Sequence, residues 1–485
     1  MKKVLLLMLL LLIMQVFAQS EFDEWLKNQN QNFKDWKSQQ DKTFSEFLEK
    51  GWAMYHTEAA VERDSIPKPQ EIPNPVGQSC PDLIVGDIIS VEIDEEELKL
   101  PETSNILEDV QREQLMYAVS KGSETLRLSY WGLVFNLNYN ANMKIAKIEK
   151  CNAEEIASFW GRISNTDYEL ILKDLQKMRE KFKLNDWAFC QLIYQTGAEI
   201  YGEINMSNLF TWFILTKSGY DCKVGYNADD IYLLLATRNR IFGEPHLMLE
   251  DRDYYSIDLS NTAIKPLNIY TYDGSYPDAD DLIDLNLTTS PYLEEVVVER
   301  QLSFSYKDST WTIPIQQNKT LIDFLADYPA TDLTVYFEAE ISPLLRKSLI
   351  KGLTPILTER TEAEALNILL RFVQTAFKYQ TDDQQFGEEN SLFPDETIYY
   401  DYCDCEDRSI LFSYLVKEFL GLEVIGLDYP GHIATAVQMN FDIEGDKITY
   451  NGSDYLVCDP TYINADIGVV MPQFLNVQPE IIQFR

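Results

Sequence analysis

Histidine is nearly missing from this chain: three residues in 485, at positions 56, 246 and 432. Positive charge is short too, with 41 Lys and Arg against 78 Asp and Glu and a formal net charge of −37. That balance lacks the basic footprint a nucleic acid demands, so no nucleic-acid partner is expected. Acidity of this degree favours solubility and cationic partners without selecting a function. No glycine-rich phosphate loop is present. Cys403-Asp-Cys405 resembles one half of a metal site, but no second half stands at a suitable spacing, so neither metal nor cofactor is expected. The acidic cluster Asp278, Asp280, Asp281 and Asp284 lacks the glycine and final glutamate of a calcium loop and reads as a solvated turn. Past residue 18 no run approaches about twenty uninterrupted apolar residues, which excludes a membrane span. The seven cysteines (80, 151, 190, 222, 403, 405 and 458) are too scattered for a disulfide scaffold, and their odd number leaves at least one thiol unpaired in an exported chain.

What is present is a globular composition, 45% hydrophobic with 12% aromatic, in a chain long enough for roughly two to four domains. Residues 1–18 have the pattern of a signal peptide: basic Lys2 and Lys3, an apolar Val4 to Phe17, and Val16-Phe-Ala18 as a small-residue cleavage signal. The mature protein is accordingly expected to be exported, periplasmic or secreted. Within 19–57, Phe22 and Trp25, Phe33 and Trp36, and Phe44 and Phe47 recur every eleven residues. Eleven residues make almost three helical turns, so these aromatics form one stripe along an amphipathic helix. The stripe is expected to pack on the body of the protein; self-association or docking to a partner is the alternative. Pro67, Pro69, Pro73, Pro75 and Pro81 then mark 58–82 as a stiff linker.

The most informative stretch is Tyr399-Tyr-Asp-Tyr-Cys-Asp-Cys405-Glu-Asp-Arg-Ser-Ile-Leu-Phe412. From Glu406 the apolar residues Ile410, Leu411, Tyr414, Leu415 and Phe419 follow a helical period, and Gly421 closes the helix. Asp404 suits the N-cap, with Glu406 and Asp407 complementing the helix dipole. Cys405 in the first turn faces unpaired backbone N–H groups, which favour its thiolate. Leu422–Leu427, His432–Val437 and Asp454–Asp459 read as strands. A Cys at a helix start, a His opening one strand and an Asp ending another make a set with a chemistry: imidazole takes the thiol proton and carboxylate fixes the imidazole tautomer.

Cys405-Glu-Asp opening a helix, Gly431-His432 before an apolar strand, and Cys458-Asp-Pro-Thr-Tyr462 resemble the core of the transglutaminase-like, papain-type cysteine superfamily. The likeness is nearest to exported proteins of the Bacteroidetes type that carry this domain, and it covers roughly Arg360 to Phe474. The resemblance implies Cys405 as nucleophile, His432 as base and Asp459 as the orienting acid, acting on amide bonds of proteins or peptides. Many members follow the His with Ala-Trp where this chain has Ile433-Ala434. Water or amine as acyl acceptor therefore stays open, with a tilt toward hydrolysis. The alternative is an inactive exported binding or scaffold protein with a relic triad.

An echo of the same pattern lies upstream. Glu203 precedes Gly219 by sixteen residues, as Cys405 precedes Gly421, and Asp230 follows Gly219 by eleven, as His432 follows Gly421. Asp258 falls within one residue of the position corresponding to Asp459. The expected architecture is α+β: a degenerate transglutaminase-like domain over 83–265, a β-rich linking module over 266–341 and a catalytic domain over 342–485. Glu203 and Asp230 cannot supply thiolate and imidazole, so the first copy is expected to be structural or substrate-binding.

Overall fold

The computed structural model describes residues 2–63, 66–75, 86–91, 106, 123–249, 251–260, 262 and 265–484. The N-terminal helix α1 spans Lys2–Leu48 and is followed by the strand β1 (Trp52–His56). A hairpin, β2 (Ser123–Tyr130) and β3 (Leu133–Asn140), leads to four helices: α2 (Ala153–Ile163), α3 (Glu169–Lys181), α4 (Asp186–Tyr201) and α5 (Ile204–Lys217). Strands β4 (Cys222–Tyr226), β5 (Ile231–Ala236), β6 (His246–Leu249), β7 (Arg252–Ile257) and β8 (Asn268–Tyr272) complete the first half. A long hairpin, β9 (Val297–Tyr306) and β10 (Ser309–Asn318), connects to α6 (Lys319–Ala326), α7 (Leu333–Phe337), α8 (Pro343–Leu357) and α9 (Glu362–Ala376). The second half continues through β11 (Lys378–Tyr379), α10 (Asp382–Gln385), α11 (Pro394–Tyr399), β12 (Tyr402–Cys403) and α12 (Cys405–Leu420). It ends with β13 (Val424–Tyr429), β14 (His432–Val437), β15 (Lys447–Tyr450), β16 (Ser453–Cys458) and β17 (Glu480–Ile482). Among the described residues no helix is long and apolar enough to cross a membrane. The class is α+β.

The two halves repeat one topology. The first sheet runs β1-β8-β4-β5-β7-β6, and the second, taken from its far edge, β17-β13-β14-β16-β15. Leaving out β1, each strand has its counterpart, down to the register. Cys222 pairs with Leu235 where Val424 pairs with Val437, 202 residues on. Leu235 pairs with Tyr255 where Val437 pairs with Leu456. Each central strand, β5 and β14, is buried along its whole length. That follows from two covered faces, a helix on one and a smaller apolar cluster on the other, so these strands read as continuous apolar runs rather than alternating ones. The C-cap of α12 explains why a glycine closes it: Gly421 sits at φ 63° and ψ 21°, left-handed backbone that other residues adopt only at a cost.

Several expected boundaries shift. The helix ends at Leu48, and 52–56 is a strand, because Trp52–His56 pairs antiparallel with Asn268–Tyr272 at the edge of the first sheet. The first sheet therefore draws on both sides of 83–265, while most of 83–122, and Cys80 and Pro81 before it, lie outside the described residues. The segment 266–341 is only partly β: its hairpin packs on α8 and α9 of the second half, and two helices follow it. Nor is the aromatic stripe uniform. Phe44 is buried against Trp160, Tyr276 and Tyr272, with ring centroids 4.7, 5.4 and 6.0 Å away. Phe22, Trp25, Phe33 and Trp36 stay exposed. Equal spacing gave equal helical faces; where the body ends decides which repeat is covered.

Candidate active site

Helix α12 begins at Cys405, and its apolar face (Ile410, Leu411, Leu415, Phe419) packs into the main core against α9 and β14. Ser409, one turn along, donates its hydroxyl to the carbonyl of Ile433 at 3.0 Å. That bond fastens the helix start to the strand start, so Cys405 and His432 come together although 27 residues separate them. The Ile433 N–H points at Cys405 Sγ at 3.5 Å. His432 Nε2 lies 2.9 Å from Asp459 Oδ2, and both side chains are buried. The other Asp459 oxygen accepts the backbone N–H groups of Thr461 (2.9 Å) and Tyr462 (3.1 Å), which fixes the carboxylate plane.

Burial alone would push the imidazole down. The Asp459 carboxylate and the Cys405 thiol overcome it, and the His432 pKa is raised to about 10. The thiol stands at the start of the histidine's strand, on the Ile433 N–H, yet Nδ1 has no hydrogen-bond partner. Cys405 Sγ instead donates to Glu406 Oε2 at 3.2 Å.

Three supporting residues carry no sequence signature. Gln374 on α9 donates to the carbonyls of Asp459, Tyr462 and Ala465 at 3.0–3.1 Å, pinning the loop that holds the carboxylate. Phe474 stacks on His432 with centroids 5.2 Å apart and rings 5° from parallel, shielding the imidazole from water. Arg408, fully buried, donates to the carbonyls of Phe377 and Gln374 and to Cys403 Sγ. Cys403 is thus committed to a structural contact, two residues from the thiol beside the imidazole. Tyr379, paired in register with Cys403, keeps a buried hydroxyl without a partner. Burial, and then Cys405 and Asp404, push its phenol well above the ordinary range.

Asp404 is the N-cap, as its position suggests, and Asp407 reaches back to it: the Asp407 carboxylate accepts the N–H of Asp404 at 3.1 Å and of Leu392 at 2.8 Å. Asp404, Glu406 and Asp407, which read as solvated, are all fully buried. Over Asp404 and Glu406 lies the proline-rich segment. Rather than spacing two bodies apart, residues 66–75 lie against the second half, and Arg63 and Lys68 enter the acidic cluster. Two acidic triples there, Asp382 with Glu389 and Glu406, and Asp382 with Asp404 and Asp407, and the triple Asp404, Cys405 and Glu406 are each compact enough to hold a metal ion. The Lys68 ammonium already supplies the cluster with a cation.

The corresponding positions of the first half lack this chemistry. Glu203 precedes α5, Asp230 precedes β5, and Asp258 accepts the N–H of Ser260 at 2.9 Å as Asp459 accepts that of Thr461. Cys151 approaches from a loop and donates to the carbonyl of Asp229 at 3.2 Å. Burial and then Asp230 and Glu203 push its thiol up to about 11, away from a reactive thiolate. All six described cysteines are free thiols. Compared with protein-family models, curated proteins and solved structures, the chain matches none.

Proposed function

We propose that the chain is a cysteine-dependent acyl-transfer enzyme of the transglutaminase-like, papain-type kind, acting on amide bonds of proteins or peptides. The observation that carries the reading is a buried His432–Asp459 bond of 2.9 Å with the Cys405 thiol 3.5 Å from the backbone N–H of Ile433, the next residue. The Cys405 thiolate attacks the amide carbonyl, and His432 gives the thiol proton to the leaving amine. Asp459 holds the ring and its charge. Water or an amine then takes the acyl group from the thioester, with His432 as base. The backbone N–H of Cys405 and the unpartnered Tyr379 hydroxyl are the donors suited to the oxyanion.

The matching strand order and register support reading the two halves as a duplicated core, the first degenerate and structural. The basic, apolar and small-residue pattern of 1–18 supports export. A second reading, an inactive binding protein with a relic triad, draws on the closed state of the site, where Cys405 is fully buried and its thiol turned to Glu406. Incubating the purified chain with a peptide library, with and without an added amine, separates the two. New free termini or new side-chain carboxylates mark hydrolysis, amine incorporation marks transamidation, and neither product leaves the binding protein.

A further inference from the structure

Four carboxylates crowd the approach to Cys405, and a distant part of the chain supplies the cation that holds them. Lys68 Nζ lies 3.1 Å from Asp404 Oδ2 and 3.9 Å from Asp382 Oδ2, and it contacts Glu406 and Glu389 more closely still. Arg63 reaches Glu389 at 2.7 Å and Glu406 at 2.8 Å. The Lys68 side chain is only 5% exposed, and Asp404 and Glu406 are not exposed at all. Asp382 Oδ1 and Asp404 Oδ1 are buried without a hydrogen-bond donor on them, and Asp404 Oδ2 meets Lys68. Just upstream of Lys68 the segment lies across the loop before the imidazole: a Cβ on Gly431 would fall 3.0 Å from Ile66 Cγ2 and 3.2 Å from the Pro67 carbonyl. Beyond it opens a cleft of about 1080 Å³, lined by Ile66, Lys68, Asp382 and Glu389 and, from the first half, Phe242 and Asp258.

Arg63 would still face Glu389 and Glu406, but withdrawing Lys68 would take the cation from buried Asp404 and Asp382, a costly arrangement that a displacing guest relieves with a cation of its own. Carboxylates approaching from several sides suit a compact ammonium with three donors better than a planar guanidinium. Glu406 places that cation beside the chemistry, since one of its oxygens holds Lys68 and the other accepts from Cys405 Sγ. Burial works against the charge on Lys68, but Asp404 and its neighbours outweigh it and hold the amine protonated. An amine bound there is recognised as a cation and cannot attack a thioester.

We infer that Asp382, Glu389, Asp404 and Glu406 form a recognition subsite for a primary ammonium of the substrate, a lysine side chain near the scissile amide, which Lys68 fills in cis as part of a strap closing the site. Naming the guest a substrate group rests on the acyl-transfer reading; the strap and its charge do not. The test is the rate at which iodoacetamide labels Cys405 in the full chain, followed by peptide mapping. Lys68→Ala should speed labelling on the order of tenfold or more, as loss of a buried charge partner favours local opening. Nα-acetyl-lysine methylamide should then slow labelling of that variant saturably, and its norleucine counterpart should not. Should Lys68→Ala fail to fold, Lys68→Met, of similar length, carries the same test. Unchanged labelling in the folded variant, or equal protection by norleucine, would overturn the inference. A chain without acyl-transfer activity would still show both effects, so failure of the enzyme reading is told apart from failure of the subsite.

Discussion

Replacing Asp459 by Asn keeps the side chain's size and one acceptor oxygen while removing the charge that faces His432 Nε2 at 2.9 Å. In the native site burial lowers the imidazole pKa, and Asp459 leads the groups that raise it, to about 10 from an ordinary 6.5. That difference corresponds to on the order of 5 kcal/mol between the two protonation states. With the carboxylate gone, burial becomes the leading influence, so His432 in Asp459→Asn should titrate at or below its ordinary 6.5. Nitrogen NMR of labelled imidazoles reads this directly, because only three histidines need assigning and His432→Ala identifies the third. The sign for stability follows. A folded-state pKa above the unfolded one adds stability that is complete below 6.5 and lost as pH rises through about 10. Wild-type melting temperature should therefore fall across that window, and the fall should vanish in Asp459→Asn. A His432 titration that is ordinary in wild type, or unchanged by the substitution, would refute the coupling and with it the role given to Asp459.

Cys405→Ala should abolish turnover, and His432→Ala should nearly do so without the two losses adding. Cys403→Ala should keep activity, since Cys403 faces Arg408; the opposite pattern in a turnover assay would move the nucleophile by two residues. Tyr379→Phe should lower kcat on the order of a hundredfold if its hydroxyl serves the oxyanion, and an unchanged kcat would leave that work to the backbone. Phe44→Ala should cost roughly 3–5 kcal/mol in denaturant unfolding. Phe33→Ala, at an exposed site of the same repeat, should stay within about 0.5 kcal/mol, and equal losses would mean that the stripe is covered along its length.

Local order was legible in this sequence wherever neighbours along the chain decide it. Gly421 as a helix stop, the apolar runs of β13, β14 and β16, and the hairpin of β9 and β10 all follow from spacing and turn chemistry. The common strand order was legible through a 202-residue offset between Gly219 and Gly421. What stayed hidden depends on segments far apart in sequence. A lysine between prolines reads as solvated, and nothing near Lys68 announces that four carboxylates more than 300 residues away will enclose it. The same enclosure covers Asp404 and Glu406, whose spacing alone suits an exposed first turn. Gln374 and Phe474 bear on the candidate site only through the packing of α9 and the C-terminal loop around it. The strands β1 and β17 are edge additions whose partners no local pattern could name.

In the proposed reaction Cys405 carries an acyl group between donor and acceptor. Rapid acid quenching of wild type and Lys68→Ala during incubation with lysine-containing peptide amides, followed by mass analysis of proteolytic fragments, reads that step. An acyl adduct is expected on the fragment containing Cys405, removed by hydroxylamine as a thioester is and absent from Cys405→Ala. Turnover of the peptides without such an adduct, or an adduct on another residue, would contradict it.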